Sequence, residues 1–147
     1  MDYIIREICI IDYTNGYMEL MYEFSNYCKH VSEEEFAEYI GRRDRIQIWV
    51  IIDNESQKVI GAGTIFKMEK LHNNPMGQIE DVIITEQYRK YGFGKKIIER
   101  LAEVGLTDFN CYKVILNCLD KNIGFYEKCG FAVSCVQMRK TEYKSNI

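Results

Sequence analysis

The fold is decided by one stretch, residues 78–105, which reads Gln78-Ile-Glu-Asp-Val-Ile-Ile-Thr85, Glu86-Gln-Tyr-Arg-Lys-Tyr-Gly-Phe-Gly-Lys95 and Lys96-Ile-Ile-Glu-Arg-Leu-Ala-Glu-Val-Gly105. The first piece is rich in β-branched residues, which predicts a buried strand. The last piece repeats apolar residues at helical spacing and stops at a glycine, which predicts an amphipathic helix. Between them lies a glycine-punctuated turn that opens directly into the helix.

This turn, Arg89-Lys-Tyr-Gly-Phe-Gly94, has the chemistry of an anion site. The first N–H groups of a helix have no partner within it, the helix dipole is positive there, and glycine lets a ligand approach the backbone. Lysines at 90, 95 and 96 add positive charge. The pattern indicates a phosphate or pyrophosphate site; the alternative is a corner that uses glycine only for packing. Two common phosphate motifs are excluded, because no Gly-Lys-Ser/Thr follows and Ile97 takes the third glycine position.

Length and composition favour one cytoplasmic domain over residues 1–147. The net charge of −3 and the lack of a basic block give no reason to expect nucleic acid as a partner. No apolar run approaches the ~18 residues of a membrane span, so we expect no membrane contact. The 6 cysteines include no Cys-x-x-Cys pair, which favours free thiols in a reducing compartment over a disulfide framework or a metal site.

The remaining elements predict an α/β fold with a mixed sheet, in which an antiparallel meander is followed by a βαβ crossover and helices cover both faces. Asp53-Asn-Glu-Ser-Gln57 is predicted as a hairpin loop and Ser32-Glu-Glu-Glu35 as a capping box. The end of the chain is expected to fray. The expected strands are Tyr3–Ile11, Ile46–Ile52, Val59–Phe66, Lys113–Cys118 and Phe131–Arg139; the expected helices are Gly16–Tyr27, a helix from the capping box to Gly41, and Asn122–Cys129, with a surface loop at Glu69–Gly77.

Two motifs together resemble the GNAT superfamily of N-acetyltransferases. The first is Arg-x-x-Gly-x-Gly after a strand, in residues 89–94. The second is Asn122-Ile-Gly-Phe-Tyr126-Glu-Lys-Cys-Gly130-Phe131, which is similar to the C-terminal motif of that superfamily. Taken alone, Tyr126 could equally be a half-buried aromatic residue that only packs.

Within the superfamily, three pieces resemble the glucosamine 6-phosphate N-acetyltransferases: Gln78-Ile-Glu-Asp-Val82, Asn110-Cys-Tyr-Lys-Val-Ile-Leu-Asn-Cys118 and residues 121–131. The resemblance implies the GNAT fold and N-acetylation of D-glucosamine 6-phosphate by acetyl-CoA, in a ternary complex and without a metal. It also implies a homodimer and a role in UDP-N-acetylglucosamine biosynthesis. Two alternatives stay open: another acceptor, such as a different small amine or a peptide N-terminus, or an acyl-CoA-binding sensor without turnover.

The resemblance also implies the residues that hold acetyl-CoA. The pyrophosphate would rest on the N–H groups of residues 90–95, and the pantetheine arm would lie along the strand as an added strand. Tyr126 would donate a proton to the departing sulfur. The expected cofactor-binding residues are Val82, Ile83, Ile84, Arg89, Lys90, Tyr91, Gly92, Phe93, Gly94, Lys95, Asn122 and Tyr126.

For the acceptor, the resemblance implies that Glu80 and Asp81 bind the amino sugar and that one of them takes a proton through water. Adjacent residues of a strand point to opposite faces, so both can face one site only if a bulge intervenes. Asn117 stands where the family has an acid; an amide cannot act as a base, so only its backbone carbonyl could orient the amine. The other expected substrate-binding residues are Val82, Lys70, Leu71, His72, Tyr112, Lys113 and, across a dimer, Arg139 or Lys140.

Overall fold

The computed structural model describes residues 1–142, and these divide into two units, residues 1–116 and the residues from Asn117 on. The first unit contains a five-stranded sheet whose strands are in chain order. The first four strands are antiparallel neighbours, and the fifth runs parallel to the fourth. This confirms the predicted meander and βαβ crossover. The strands are β1 (Tyr3–Glu7), β2 (Ile46–Asp53), β3 (Lys58–Met68), β4 (Met76–Ile84) and β5 (Lys113–Leu116).

The helices are α1 (Tyr17–Phe24), α2 (Glu33–Ile40), α3 (Phe93–Leu106) and, in the second unit, α4 (Ile123–Lys128). Short 3₁₀ turns occupy Ile10–Tyr13, Glu86–Tyr91 and Asp120–Asn122. The predicted capping box begins α2. There, the Glu35 N–H donates to Ser32 Oγ at 3.1 Å, and Glu35 Oε1 accepts from the Ser32 N–H at 3.5 Å. Within residues 1–142, none of the helices combines the length and the apolar character needed to cross a membrane.

Helix α3 packs on one face of the sheet through side chains that are almost fully buried. Phe93, Ile97, Ile98 and Leu101 are each at most 1% exposed. Two glycines let the helix and the sheet approach closely. A Cβ at Gly63 of β3 would lie 2.6 Å from Leu101 Cδ1, and Gly105 of α3 is equally close to β5.

Helices α1 and α2 cover the opposite face. Their buried residues Tyr17, Met18, Leu20 and Phe36 form one cluster with side chains from β2, β3 and β4. Alternate residues of β4 contribute to the two cores, as expected for a strand covered on both sides. The sheet is therefore a partition between a core under α3 and a core under α1 and α2.

The predicted strand Phe131–Arg139 is wrong: residues 131–140 have no regular secondary structure. Its apolar residues suit a strand, but a strand also needs a neighbour for its N–H and C=O groups, and composition does not specify one. Val133, Val136 and Met138 are accordingly exposed. The first strand also ends early, at Glu7, where a 3₁₀ turn replaces the predicted extension to Ile11. The predicted fraying concerns mainly residues 143–147, which lie outside the described residues.

The close approach of α3 to the sheet gives a test of the packing. An added Cβ at Gly105 would lie 2.6 Å from Val114 Cγ2 and 2.8 Å from Ile65 Cδ1. We expect Gly105→Ala to lower the free energy of unfolding in urea by about 1–3 kcal/mol, because overpacking outweighs the better helix propensity of alanine. Gly124→Ala in α4 is the matched control, since outside its own helix no described heavy atom lies within 4 Å of the new Cβ. Equal stability of the two variants would contradict the packing described here.

Candidate functional site

A bulge in β4 places two carboxylates on the same face of the sheet. The β3–β4 ladder pairs Thr64 with Glu80 and Ala62 with Ile83, so Asp81 and Val82 together oppose Gly63. Asp81 has a φ of 54°, a left-handed conformation that is uncommon for residues other than glycine.

The bulge changes the alternation of side chains along the strand. Val82 lies on the α3 face, where its Cγ2 would be 3.3 Å from a Cβ at Gly63. Asp81 lines a cavity beneath α1 and α2, and Glu80 shares that face because its ladder partner Thr64 interacts with Tyr17 of α1. The bulge expected for this strand is therefore present, and it lets both carboxylates face one site.

Both carboxylates have perturbed acidity. Burial raises the pKa of the Asp81 carboxyl, and burial followed by repulsion from Asp81 raises the pKa of Glu80. Gln78 Nε2 donates to Glu80 Oε1 at 3.1 Å, which opposes part of that rise. Both residues are exposed to solvent, so the desolvation of their carboxyl groups is partial. A carboxylate with a raised pKa accepts a proton more readily near neutral pH, and the open side leaves a path for water.

Two tyrosines face Asp81, and no local sequence pattern predicts this arrangement. Tyr17 on α1 is buried and Tyr39 on α2 is half-buried. Burial, followed by the negative charge of Asp81, raises the pKa of both phenols, and a hydrogen bond with Thr64 only partly opposes this at Tyr17. Both hydroxyls therefore stay protonated. Helical spacing predicts such residues as core, and only the packing of α1 and α2 over β4 brings them to Asp81.

The cavity beside Asp81 has a volume of about 420 Å³ and lies between α1, α2 and the sheet. Most of its lining is apolar, so a polar ligand would find hydrogen-bonding partners mainly on the Asp81 side. Lys29 and Glu35 are the other charged residues of its wall. The apolar part is formed by Met18, Met21, Phe24, Val31, Phe36, Ile40 and Ile48.

Beyond the bulge, one edge of β4 is open. The ladder between β4 and β5 pairs residues 76–79 with residues 113–116 and goes no further within residues 1–116. The edge of Val82, Ile83 and Ile84 that faces away from β3 thus has no strand partner in this unit. An extended ligand can bind such an edge through main-chain hydrogen bonds. This is the segment predicted to hold the pantetheine arm.

The predicted anion turn follows directly. Gly92 ends the 3₁₀ turn and precedes α3 with a φ of 76°, and no described heavy atom lies within 4 Å of a Cβ built there. The backbone is therefore open to a ligand at the positive end of a 14-residue helix. Phe93 is buried and anchors the helix start, whereas Lys90 and Lys95 are exposed beside it. Tyr91 and Gly94 complete the predicted cofactor-binding set in this turn.

The Arg89 side chain is held within the chain. Its Nε donates to the Ile84 carbonyl at 2.9 Å, and its Nη2 lies 3.9 Å from Glu23 Oε1. The first contact closes the turn between β4 and α3. Arg89 was predicted to bind the cofactor, and the structure gives its side chain a part in shaping the turn.

The predicted substrate-binding cations lie at another part of the sheet. Lys113 is paired with Met76, four residues before Glu80, which is about 13 Å along the strand. Lys70, Leu71 and His72 lie in the loop between β3 and β4, and their side chains are exposed. Tyr112 is adjacent, with its ring 5.4 Å from Lys113 Nζ. Within the first unit, the structure groups these residues together but does not bring them into contact with the two carboxylates.

The other predicted site residues belong to the second unit. Tyr126 lies on α4. The centroid of its ring is 5.0 Å from that of Phe125 and 6.3 Å from that of Phe131, so the Tyr126 ring packs against both rings. Burial, followed by nearby Cys118 and Cys129, raises the pKa of its phenol. A phenol that keeps its proton to higher pH remains available as a donor.

The neighbours of Tyr126 in the motif are placed by the same short helix. Asn122 immediately precedes α4, and Asn117 begins the unit. Arg139 and Lys140 lie in the irregular segment after α4 and are exposed. In residues 1–142, no cluster of three or more His, Cys, Asp or Glu side chains is arranged to hold a metal ion.

Comparison with known sequences gives a family and several relatives. Residues 11–131 match the acetyltransferase (GNAT) family. Glucosamine 6-phosphate N-acetyltransferase 1 of Dictyostelium discoideum is 34% identical over 137 residues, which is 90% of this chain and 87% of that protein. Glucosamine 6-phosphate N-acetyltransferase of Arabidopsis thaliana is 34% identical over 142 residues, which is 92% of this chain and 94% of that protein.

Solved structures agree with the sequence comparison. The crystal structure of glucosamine-6-phosphate N-acetyltransferase from Arabidopsis thaliana has a TM-score of 0.87 and 33% identity, with 97% of this chain and 100% of that chain covered. An acetyltransferase from Trypanosoma brucei has a TM-score of 0.85 and 30% identity, with 95% and 99% covered.

The strained, partly desolvated Asp81 gives a prediction about stability. The folded protein holds a proton at Asp81 more tightly than the unfolded chain, whose ordinary pKa is 3.8. Ionisation therefore destabilises the fold progressively as the pH rises from about 4 through the raised pKa of the folded protein. We expect Asp81→Asn to raise the free energy of unfolding at pH 7 and to flatten its pH dependence, because asparagine is uncharged and also tolerates positive φ.

Denaturation in urea at pH 4 and pH 7 measures this effect. Asp44→Asn is the matched control, because Asp44 is an exposed aspartate outside the site. An Asp81→Asn variant that is less stable than wild type at pH 7 would contradict the prediction.

Proposed function

Because the chain belongs to the acetyltransferase (GNAT) family, we propose that it transfers the acetyl group of acetyl-CoA to the amine of D-glucosamine 6-phosphate. The product would be N-acetylglucosamine 6-phosphate, formed by direct transfer in a ternary complex. The observation that carries the choice of acceptor is the similarity to enzymes named glucosamine 6-phosphate N-acetyltransferase over about nine-tenths of both chains. The product would serve UDP-N-acetylglucosamine biosynthesis in the cytoplasm.

The first unit offers a fitting place for acetyl-CoA. The N–H groups of residues 90–95 at the start of α3 would donate hydrogen bonds to the pyrophosphate, with Lys90 and Lys95 beside it. The open edge of residues 82–84 would hold the pantetheine arm as an added strand, and a free N–H of that edge could stabilise charge on the carbonyl oxygen. The two features are consecutive in the chain, which suits a long ligand with a charged end and an extended arm.

The acceptor chemistry requires that protons be moved. The amine nitrogen forms a bond to the acetyl carbon while the carbon–sulfur bond breaks, so the nitrogen loses a proton and the sulfur gains one. Glu80 or Asp81, whose pKa values are raised, would take the amine proton through water. Tyr126, whose pKa is also raised, would supply the proton to the sulfur. The carboxylate would thus be the proton acceptor and the phenol the proton donor, which are the roles that their environments favour.

A homodimer would complete the acceptor site. Lys70 and His72 are exposed in the β3–β4 loop, which follows the Met68–Met76 end of the ladder, four residues before Glu80, so a second copy is the better candidate to receive them. The exposed apolar residues Val133, Val136 and Met138 would then gain a partner, and Arg139 would reach across the interface.

Removal of one oxygen tests the leaving-group role. We expect Tyr126→Phe to lower kcat by about 10²-fold while the KM for acetyl-CoA stays nearly unchanged, because a proton donor acts in the transition state. Tyr27→Phe is the control, since this tyrosine is 67% exposed and outside the site. The measurement is the rate of CoA release with saturating substrates. Wild-type turnover in Tyr126→Phe would show that Tyr126 only packs and does not donate the proton.

The choice of acceptor is tested with a phosphorylated and an unphosphorylated sugar. If Lys113 contacts the phosphate, Lys113→Ala should cost roughly 1–3 kcal/mol in kcat/KM for glucosamine 6-phosphate. The same change should barely affect glucosamine, so the two efficiencies converge. Lys58→Ala, an exposed lysine elsewhere, controls for charge, and high salt removes steering. A wild-type preference for glucosamine, or an equal loss with both sugars, would refute the phosphosugar assignment and leave the acetyltransferase assignment standing.

A further inference from the structure

Asp53, at the end of β2, gathers three hydrogen-bond donors around one carboxylate. Its Oδ1 accepts from the Glu55 N–H at 2.9 Å, and its Oδ2 accepts from Ser56 Oγ at 3.0 Å. These two donors belong to the hairpin turn that Asp53 itself begins. The third donor, Tyr88 Oη, comes from a distant part of the sequence. It donates to the same Oδ2 at 3.0 Å.

The protonation states suit a lasting bond. The Glu55 N–H, followed by the two hydroxyl donors, lowers the pKa of the Asp53 carboxyl despite its burial, so the group is charged at neutral pH. The bond to Asp53 raises the pKa of the Tyr88 phenol, which therefore keeps its proton. Hydrogen bonds to an ionised acceptor are stronger than neutral ones. Asp53 is 7% exposed but lies near the surface, in a turn that is itself well ordered by hydrogen bonds.

Tyr88 lies in the 3₁₀ turn between β4 and α3, just before the glycine at which α3 begins. Such turns have poor internal hydrogen-bond geometry and depend on outside contacts. Here the ring of Tyr88 lies 6.2 Å from Tyr91, which stacks on Phe93 at 5.7 Å. Phe93 is 1% exposed and packs edge-on against Tyr3 at 4.8 Å. The 3₁₀ turn is thus anchored where it meets α3 by the buried ring of Phe93, and earlier, at Tyr88, by the hydrogen bond to Asp53.

We propose that Asp53 and Tyr88 are positioning residues for the cofactor. Their hydrogen bond holds the turn of residues 89–92, so that the N–H groups at the start of α3 donate hydrogen bonds to the pyrophosphate of acetyl-CoA. A turn held before binding loses less conformational freedom when the ligand arrives, so affinity rises without any new contact to the ligand. The β2–β3 hairpin, far from the reacting atoms in sequence, then contributes to cofactor affinity. This inference rests on the proposed function.

The test is direct calorimetric titration of the full-length protein with CoA. Tyr88→Phe removes only the hydroxyl and keeps the ring contacts. We expect its Kd for CoA and its KM for acetyl-CoA to rise about tenfold. The KM for glucosamine 6-phosphate and the kcat at saturation should stay within about twofold, because the turn acts on cofactor binding.

Ser56→Ala is the matched control, because it deletes another hydroxyl donor to the same Oδ2 but makes no change in the 3₁₀ turn before α3. It should bind CoA like wild type, even if both variants lose similar stability. Asp53→Asn keeps an oxygen acceptor and should weaken CoA binding less than Tyr88→Phe. The double variant Asp53→Asn with Tyr88→Phe should bind no worse than Tyr88→Phe alone, since both changes act through one bond.

The outcomes are distinct. Wild-type CoA affinity in Tyr88→Phe overturns the inference, and so does an equal loss in Ser56→Ala, which would assign the bond to hairpin stability. A wild-type protein that does not bind CoA overturns the proposed function as well, and the titration of the wild type alone reveals this.

Discussion

The bulge at Asp81 and Val82 is the constraint on which both halves of the site depend. In an unbroken strand, Glu80 and Asp81 would point to opposite sides of the sheet, and one carboxylate would be buried under α3. The extra residue turns both toward α1 and α2. A bulge also bends and twists its strand. Here the β4–β5 ladder ends at Ile79, just before the bulge, so the edge beyond it has no strand partner within residues 1–116. One local irregularity thus places both carboxylates on one face, at the point where strand pairing with β5 ends.

This arrangement costs stability, and the rest of the fold offsets it. Asp81 combines a left-handed backbone with a carboxyl whose charge is disfavoured by burial. Strained backbone conformations cluster at functional sites. The cores on both sides of the sheet are nearly dry, with Val50, Ile65, Ile97 and Leu101 fully buried. The well-packed part of the molecule therefore holds Asp81 in a backbone conformation that is uncommon for a residue other than glycine.

The sequence predicted what depends on local patterns. The capping box at Ser32, the turn before α3 and helix α3 itself are specified by residues within a few positions of one another. It failed at residues 131–139, which have the composition of a strand but no regular secondary structure, because a strand forms only by pairing with another segment. It also did not predict that Tyr17 and Tyr39 interact electrostatically with Asp81, because this interaction exists only after two helices pack over β4. Pairing and packing across long sequence distances carry no local signature.

The two faces of the sheet support different tasks. The turn before α3, which we propose binds the pyrophosphate, rests on Phe93 and the core under α3 and is bonded to Asp53 of β2 through Tyr88. The carboxylates lie on the other face, where an apolar cavity lies between α1, α2 and the sheet beside Asp81. A shared, charged cofactor is best met by a rigid cradle, since preorganisation lowers the entropic cost of binding. The sheet keeps both functions in register because β4 takes part in each.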